Sequence, residues 1–184
     1  MKKILLSIAI VVTVIIGAGY GCWRYTFPYG WSHSCDKQVM FALHCYADAH
    51  GGWYPRGEES PEASLSLLYP DLGAEPLRGK TVPSNVVDER LKQGLRLTPE
   101  TCGWHYVEGL RSDDDSNLAL FWDKIGLGHN GERLPKGDHT VFFVNGIHEY
   151  ISGDEWEAFI ADQEKLRKAI DRTKPKTPPP QKGK

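Results

Sequence analysis

Three histidines near the C-terminal end of the chain are the side chains best suited to hold a metal ion. His129, His139 and His148 lie within twenty residues of one another, and neutral imidazole is a common zinc ligand. His139 and His148 flank a predicted tight turn, where solvent-facing strand histidines are also common, so a structural role is the competing interpretation. This cluster carries the alternative functional hypothesis, a secreted metal-binding protein or metal-dependent enzyme.

An acidic run ahead of a predicted strand is a candidate calcium site. The run reads DDDSN, and calcium takes several hard oxygen ligands such as carboxylates. The candidate ligands are Asp113 and Asp115, with Asp123 as the next in line. The run does not fit an EF-hand loop, because its sixth position is Leu118 rather than glycine and its twelfth is Lys124 rather than glutamate. A solvated turn is the preferred interpretation, and no other cofactor is predicted.

Three cysteines raise the question of a disulfide. Cys35 and Cys45 are ten residues apart on one predicted helix, which separates them by about 15 Å along its axis. A disulfide needs Cα atoms within about 7 Å of each other, so these two cannot pair. A bridge from Cys102 to either Cys35 or Cys45 is compatible with an exported chain, and buried free thiols are the alternative.

Catalytic motifs are not found in the sequence. It contains no Gly-x-Ser-x-Gly elbow, no P-loop and no His-Glu-x-x-His motif. A pairing of Cys45 with a histidine, as nucleophile and base, is the weakest of the candidate sites. We therefore predict that the protein is not an enzyme.

Residues 1–21 predict a transmembrane anchor or a signal. Two lysines precede an almost unbroken apolar run from Ile4 to Ala18. As a helix this run and its flanks measure about 25 Å, near the thickness of a membrane's hydrocarbon core. Lysines at its start favour a cytoplasmic N-terminus, so we expect a single-pass anchor in the cell membrane with the domain outside the cytoplasm. Cleavage before Cys22, or lipidation of that cysteine, are the alternatives, although Tyr20 breaks the lipidation motif.

The segments that flank the domain have unusual compositions. Residues 22–32 form an aromatic juxtamembrane segment, whose rings favour a membrane–water interface; an aromatic edge of the core is the other interpretation. Residues 171–184 hold four prolines and five basic residues and predict a disordered tail. This tail (+4) and the two N-terminal lysines (+2) leave −8 for the rest of a chain with net charge −2. An acidic domain is a poor binder of nucleic acid.

Between these segments, residues 33–170 predict one α+β domain. Apolar positions at i, i+3, i+4 and i+7 predict a long helix from Trp31 to Gly52, and Ser34 or Ser32 can cap it. Three more helices are predicted at Ser60–Pro70, Ser84–Gln93 and Glu155–Ala169. Ser152 or Asp154 is the expected cap of the last one, and mostly loop is expected over residues 71–103.

The strands are predicted late in the chain. Thr140–Val144 and Ile147–Ile151 are rich in β-branched and aromatic residues. Asn145 and Gly146 between them form the dipeptide that favours a tight type I′ turn. With a third strand at Asn117–Asp123, the sequence predicts a three-stranded antiparallel sheet packed on the long helix.

Three segments in this order resemble a known family. The segment QVMFALHCYADAHGGWYP resembles the family's "LALHMYADDNGGRYP" helix, and SLSLLYP resembles its "LxxLYP" helix. Residues 117–150 contain LALFWDK, GHNGERLPKGDHT and VFFVNGIHEY, which resemble its "LAYD" strand, "GNHGG" loop and "VLFADGHVEW" hairpin. The family is the pseudopilin-like proteins of the type II secretion group, of the planctomycete type with a C-terminal H-x9-DG signature.

The resemblance implies a pilin-like domain that acts in export or at the cell surface through contacts with other envelope proteins. The chain departs from the family at three points. No prepilin cleavage motif precedes the apolar helix, Asn145 replaces the signature's aspartate, and fifteen residues rather than nine separate it from His129. We therefore expect a stand-alone, membrane-anchored domain.

Overall fold

The computed structural model describes residues 2–32 and 36–170, and begins with a long apolar helix. This helix, α1, covers Lys2–Thr26, and none of its side chains is buried. Its length and composition suffice to cross a membrane, as those of a signal sequence also would. The hydroxyls of its apolar run are satisfied within the helix: Ser7 donates to the carbonyl of Lys3, and Thr13 to that of Ala9. Such internal bonding is what a lipid environment requires.

The other helices belong to the folded domain. They are α2 (Asp36–Ala49), α3 (Pro61–Leu65), α4 (Ser84–Lys92) and α5 (Trp156–Lys168), with 3₁₀ turns at Ser66–Leu68, Pro76–Arg78 and Gly153–Glu155. The hydroxyl of Ser60 accepts a hydrogen bond from the amide of Ala63 and so caps α3 as expected. Four antiparallel strands complete an α+β fold, which confirms the predicted fold class.

Helix α2 is shorter than the sequence pattern predicts. It begins at Asp36 rather than Trp31; Ser32 lies outside the helix, and its amide donates to the carbonyl of Asn130 (3.0 Å). The predicted cap Ser34 lies outside the described residues. At the other end Gly51 and Gly52 take positive φ values of 63° and 86° and terminate the helix as predicted.

The sheet has four strands where three are predicted. The strands are β1 (Trp104–Tyr106), β2 (Ala119–Asp123), β3 (His139–Phe143) and β4 (His148–Ile151), in the order β1-β2-β3-β4. The additional strand, β1, pairs Trp104 with Asp123. A strand of three residues is too short for its alternation of apolar and polar residues to predict it from the sequence.

The β3–β4 hairpin is confirmed, but its turn is not the predicted type I′. A type I′ turn needs positive φ at both central residues, and among the described residues only glycines have positive φ. Gly146 takes φ 82°, while its amide bonds to the carbonyl of Phe143 (2.9 Å) and the amide of Phe143 bonds to the carbonyl of Ile147 (3.0 Å). The connection is therefore a three-residue loop that ends in a left-handed glycine.

Strand β2 lies at the centre of the core and is buried along its whole length. A β-bulge between Ala119 and Phe121 directs Leu120 and Phe121 into the same apolar cluster, which also holds Leu43 of α2. Trp122 on the opposite side joins a second cluster, against which Trp156, Phe159 and Ile160 of α5 pack. The sheet is thus covered by helices on both faces.

Helix α5 is held to the sheet by a buried glutamine rather than by the expected cap. The side chain of Gln163 accepts from the amide of Ala119 (2.8 Å) and donates to the carbonyl of Asn117 (3.0 Å). The prediction that Ser152 or Asp154 caps this helix is wrong. The hydroxyl of Ser152 is buried without a hydrogen-bond partner, and Asp154 pairs with Lys136 at 3.0 Å.

Two glycines bring separate segments of backbone into direct contact. A Cβ atom on Gly103 would lie 2.1 Å from the carbonyl oxygen of Arg78, and one on Gly79 would lie 2.8 Å from the Cα of Gly103. Side chains at these positions would collide with backbone, which cannot move aside. The close approach fixes the segment around residues 78–80 against the start of β1.

We predict that Gly103→Ala lowers the free energy of unfolding by about 3 kcal/mol, the upper end of the usual cost of overpacking. The matched variant is Gly94→Ala. Gly94 has φ 73° and open space around its Cβ position, so this change costs only about 1 kcal/mol of backbone strain. Urea unfolding of the full chain in detergent, followed by tryptophan fluorescence, measures both. Equal losses in the two variants would contradict the packing argument.

Candidate functional site

The folded domain is attached directly to the C-terminal end of α1. The amide of Arg133 donates to the carbonyl of Thr26 (2.7 Å), and its Nε donates to the carbonyl of Tyr25 (3.3 Å). The same guanidinium lies 5.1 Å from the centre of the Tyr25 ring, a cation–π contact. Carbonyls at the end of a helix have no partner within the helix, so Arg133 both caps α1 and fixes the domain beside it.

Aromatic rings surround this junction and remain largely outside the core. Trp23 is 43% exposed, Tyr25 69% and Trp31 73%. The ring of Trp23 packs between those of Tyr20 and Phe27, at centroid distances of 6.3 and 6.1 Å. The structure therefore excludes an aromatic edge of the core and leaves rings of the kind that settle at a membrane–water interface.

The three histidines of the candidate zinc site are not brought together. His139 pairs with Ile151 at one end of the hairpin, whereas His148 pairs with Phe142 near the turn. His139 stacks on Trp156 at 3.9 Å and donates from Nδ1 to the carbonyl of Asp123 (3.1 Å). His148 stacks on Phe142 at 5.2 Å, and His129 is exposed in the loop before β3. Both hairpin histidines thus serve in packing.

The candidate calcium ligands also lie apart. Asp113 accepts from the Nε of Arg111 at 2.8 Å, and Asp115 accepts from the amide of Asn117 at 2.9 Å, within one turn. Asp123 stands at the far end of β2, a strand about 16 Å long at its usual rise. Over the described ranges 2–32 and 36–170, no group of three or more histidine, cysteine, aspartate or glutamate side chains is placed to hold a metal ion.

The cysteines for which the structure gives a position carry free thiols. Cys45 is exposed on α2, whereas Cys102 is fully buried and its thiol donates to the carbonyls of Leu77 and Trp104. Burial raises the pKa of Cys102 to about 12. Cys45 and Cys102 are therefore not joined by a disulfide, because the thiol of Cys45 is exposed and that of Cys102 is buried. Cys35 lies outside the described residues.

Asp123 instead forms a buried ion pair that the sequence did not reveal. The Nζ of Lys80 lies 2.9 Å from Oδ2 of Asp123, and the two side chains are only 2% and 3% exposed. Nζ also lies 3.4 Å from the carbonyl oxygen of Leu127 and 6.0 Å from the centre of the Trp104 ring. The other carboxylate oxygen, Oδ1, is buried without a hydrogen-bond partner.

The environment of this carboxyl disfavours its charge. Burial raises the pKa of Asp123 to about 6, Lys80 opposes the shift, and the nearby charge of Asp36 adds to it. Asp36 is itself buried at the start of α2. Asp123 ends an otherwise apolar strand, which could have indicated a buried carboxyl in need of a partner. Lys80 lies in a stretch without periodic pattern and gave no signal.

An apolar groove lies on the outer side of α2. It has a volume of about 640 Å³ and is lined by Phe41, Cys45 and Tyr46 together with Leu67 and Leu72 beyond α3. Phe41 is 72% exposed although it lies in the middle of the helix. A large exposed ring beside a groove is typical of a protein-contact surface.

Comparison with protein-family models, curated proteins and solved structures finds no match for this chain.

We predict that acidification through the histidine range destabilises the domain in part through His139. Burial lowers the pKa of His139 below its ordinary 6.5, so the folded state favours the neutral ring. The unfolded chain therefore binds the proton first, and stability falls as the pH drops below 6.5. Replacement His139→Phe keeps the stacking on Trp156 and removes the proton site.

The measurement is the melting temperature of the full chain in detergent from about pH 7.5 to about pH 5.5, the range in which histidine titrates. The His139→Phe variant should lose less of its melting temperature over this interval than the native chain does. An identical loss in both proteins would contradict the assignment.

Proposed function

We propose that the protein is a non-catalytic, membrane-anchored domain of the pseudopilin-like kind, which acts at the cell surface or in export through contacts with other proteins. The observation that carries this proposal is the junction at Arg133. It ties a folded domain to the end of a fully exposed apolar helix. A chain built this way presents its domain at a membrane surface, and we place that domain outside the cytoplasm.

The arrangement of the domain supports the pseudopilin-like part of the proposal. Leu43 and Val39 of α2 share one core cluster with Phe121 and Phe142 of the antiparallel sheet. A helix that follows the membrane segment and packs on a C-terminal antiparallel sheet is the arrangement the sequence resemblance implies. The chain differs in that residues 27–32 leave the helical path between α1 and α2.

The groove on α2 supports the role in protein contacts. It faces away from the sheet, and Phe41 stands in it without cover from the described part of the chain. The metal-dependent alternative receives no comparable support, because His139 and His148 lie at opposite ends of the hairpin and His129 lies in the loop before it.

Membrane attachment is tested on the full chain in its native cells or a bacterial host. We expect the protein to remain with the membrane after alkaline carbonate extraction and to be released by detergent. N-terminal sequencing should find α1 present, and protease added to spheroplasts should digest the domain. Recovery in the soluble fraction with a start at or after Cys22 would contradict the anchor.

Protein contact is tested by a photo-crosslinking residue at position 41 in cells. A protein adduct is expected there, because a ring in this position faces the proposed partner. The matched control is position 95, since Leu95 is 46% exposed but lies away from the groove. Adducts of equal yield at both positions, or none at position 41, would contradict a contact role for this face.

A further inference from the structure

The buried contact between Lys80 and Asp123 places an amine directly beside a carboxyl group, away from solvent. The geometry points to an intramolecular isopeptide bond between Nζ of Lys80 and Cγ of Asp123, formed by the folded chain itself. This covalent modification is independent of the proposed function.

The first argument is proximity. Nζ and Oδ2 lie 2.9 Å apart, so Nζ lies directly beside the carboxyl group whose carbon, Cγ, it would attack. The backbone contact between Gly79 and Gly103 fixes the residue before Lys80 beside β1, and β1 pairs with the end of β2 that carries Asp123. In general, well-oriented groups within one molecule react with effective concentrations of roughly 10⁵–10⁸ M.

The second argument is burial. Among the ion pairs of the described residues, this is the one in which neither side chain is more than 3% exposed. Removing two charges from water is costly, and the raised pKa of Asp123 reflects that cost. Transfer of one proton from Nζ to Oδ2 converts the pair into a neutral amine and a neutral acid, which are the reactive forms.

The reaction needs no other reagent. The Nζ lone pair attacks Cγ and forms the Nζ–Cγ bond, and the Cγ–Oδ2 bond breaks. Oδ2 leaves as water with the acid proton and one proton from Nζ, while Oδ1 remains as the carbonyl oxygen of a secondary amide. The carboxyl of Asp36 is close enough for its charge to act on Asp123.

The third argument concerns Oδ1. In the ion pair this oxygen belongs to a carboxylate, and it is buried without a donor. A buried oxygen that shares a full negative charge is far more costly to desolvate than the oxygen of a neutral amide. Condensation therefore removes the negative charge from this buried oxygen, and the exclusion of water protects the amide product from hydrolysis.

The test is the intact mass of the full chain, purified in detergent and denatured, followed by a tryptic map. The native chain should be lighter than its sequence by one water, about 18 Da, as for other covalent modifications read by mass. The map should contain one branched peptide that joins the fragments with Lys80 and Asp123. Lys80→Arg and Asp123→Ala should each have the full sequence mass.

The matched control is Lys136→Arg. Lys136 contacts Asp154 at 3.0 Å, but both side chains are exposed, so this variant should keep the mass deficit and the branched peptide. The proposal is overturned by separate linear peptides for Lys80 and Asp123 in the native chain. It is equally overturned by a loss of water that maps to Asp123 alone. Because the native chain decides the outcome, poor folding of a variant leaves the test intact.

Discussion

The contact between Lys80 and Asp123 joins three separate parts of the chain. Lys80 follows the 3₁₀ turn at Pro76–Arg78, Asp123 ends the central strand, and the carbonyl of Leu127 belongs to the loop that leads toward the junction with α1. In other proteins, removal of one partner from a buried pair costs about 3–5 kcal/mol, because the other charge is left alone. The ion pair therefore fixes the position of the irregular segment before β1, which non-directional apolar packing by itself does not determine.

Much of the fold could be predicted from the sequence where the signal is local. The hairpin, the helices at residues 61–65, 84–92 and 156–168, and the apolar N-terminal helix all follow from periodicity and composition. The details that failed depend on distant partners. Ser32, predicted to lie in α2, instead bonds to the distant Asn130. Strand β1 forms by pairing with β2, in which Trp104 lies opposite Asp123.

The candidate sites also depend on distant partners, which the local sequence does not indicate. The types of the histidines and aspartates and their closeness in sequence favour metal sites, yet residues close in sequence can lie at opposite ends of a hairpin. Stacking on Trp156 and Phe142 uses the two hairpin histidines as flat rings. The lysine that does meet Asp123 is 43 residues away, and only the folded sheet brings it there.

The hydrogen bonds from Arg133 to the last turn of α1 set how far the domain can stand from a membrane. A flexible stalk would let the domain reach outward, whereas here the loop around residues 130–133 is joined to the helix end itself. With α1 in a bilayer, the domain is confined to the layer just above the lipid headgroups. Only molecules that reach that layer can contact the domain. A partner's distance from the membrane surface therefore limits which molecules can bind, before any side chain is recognised.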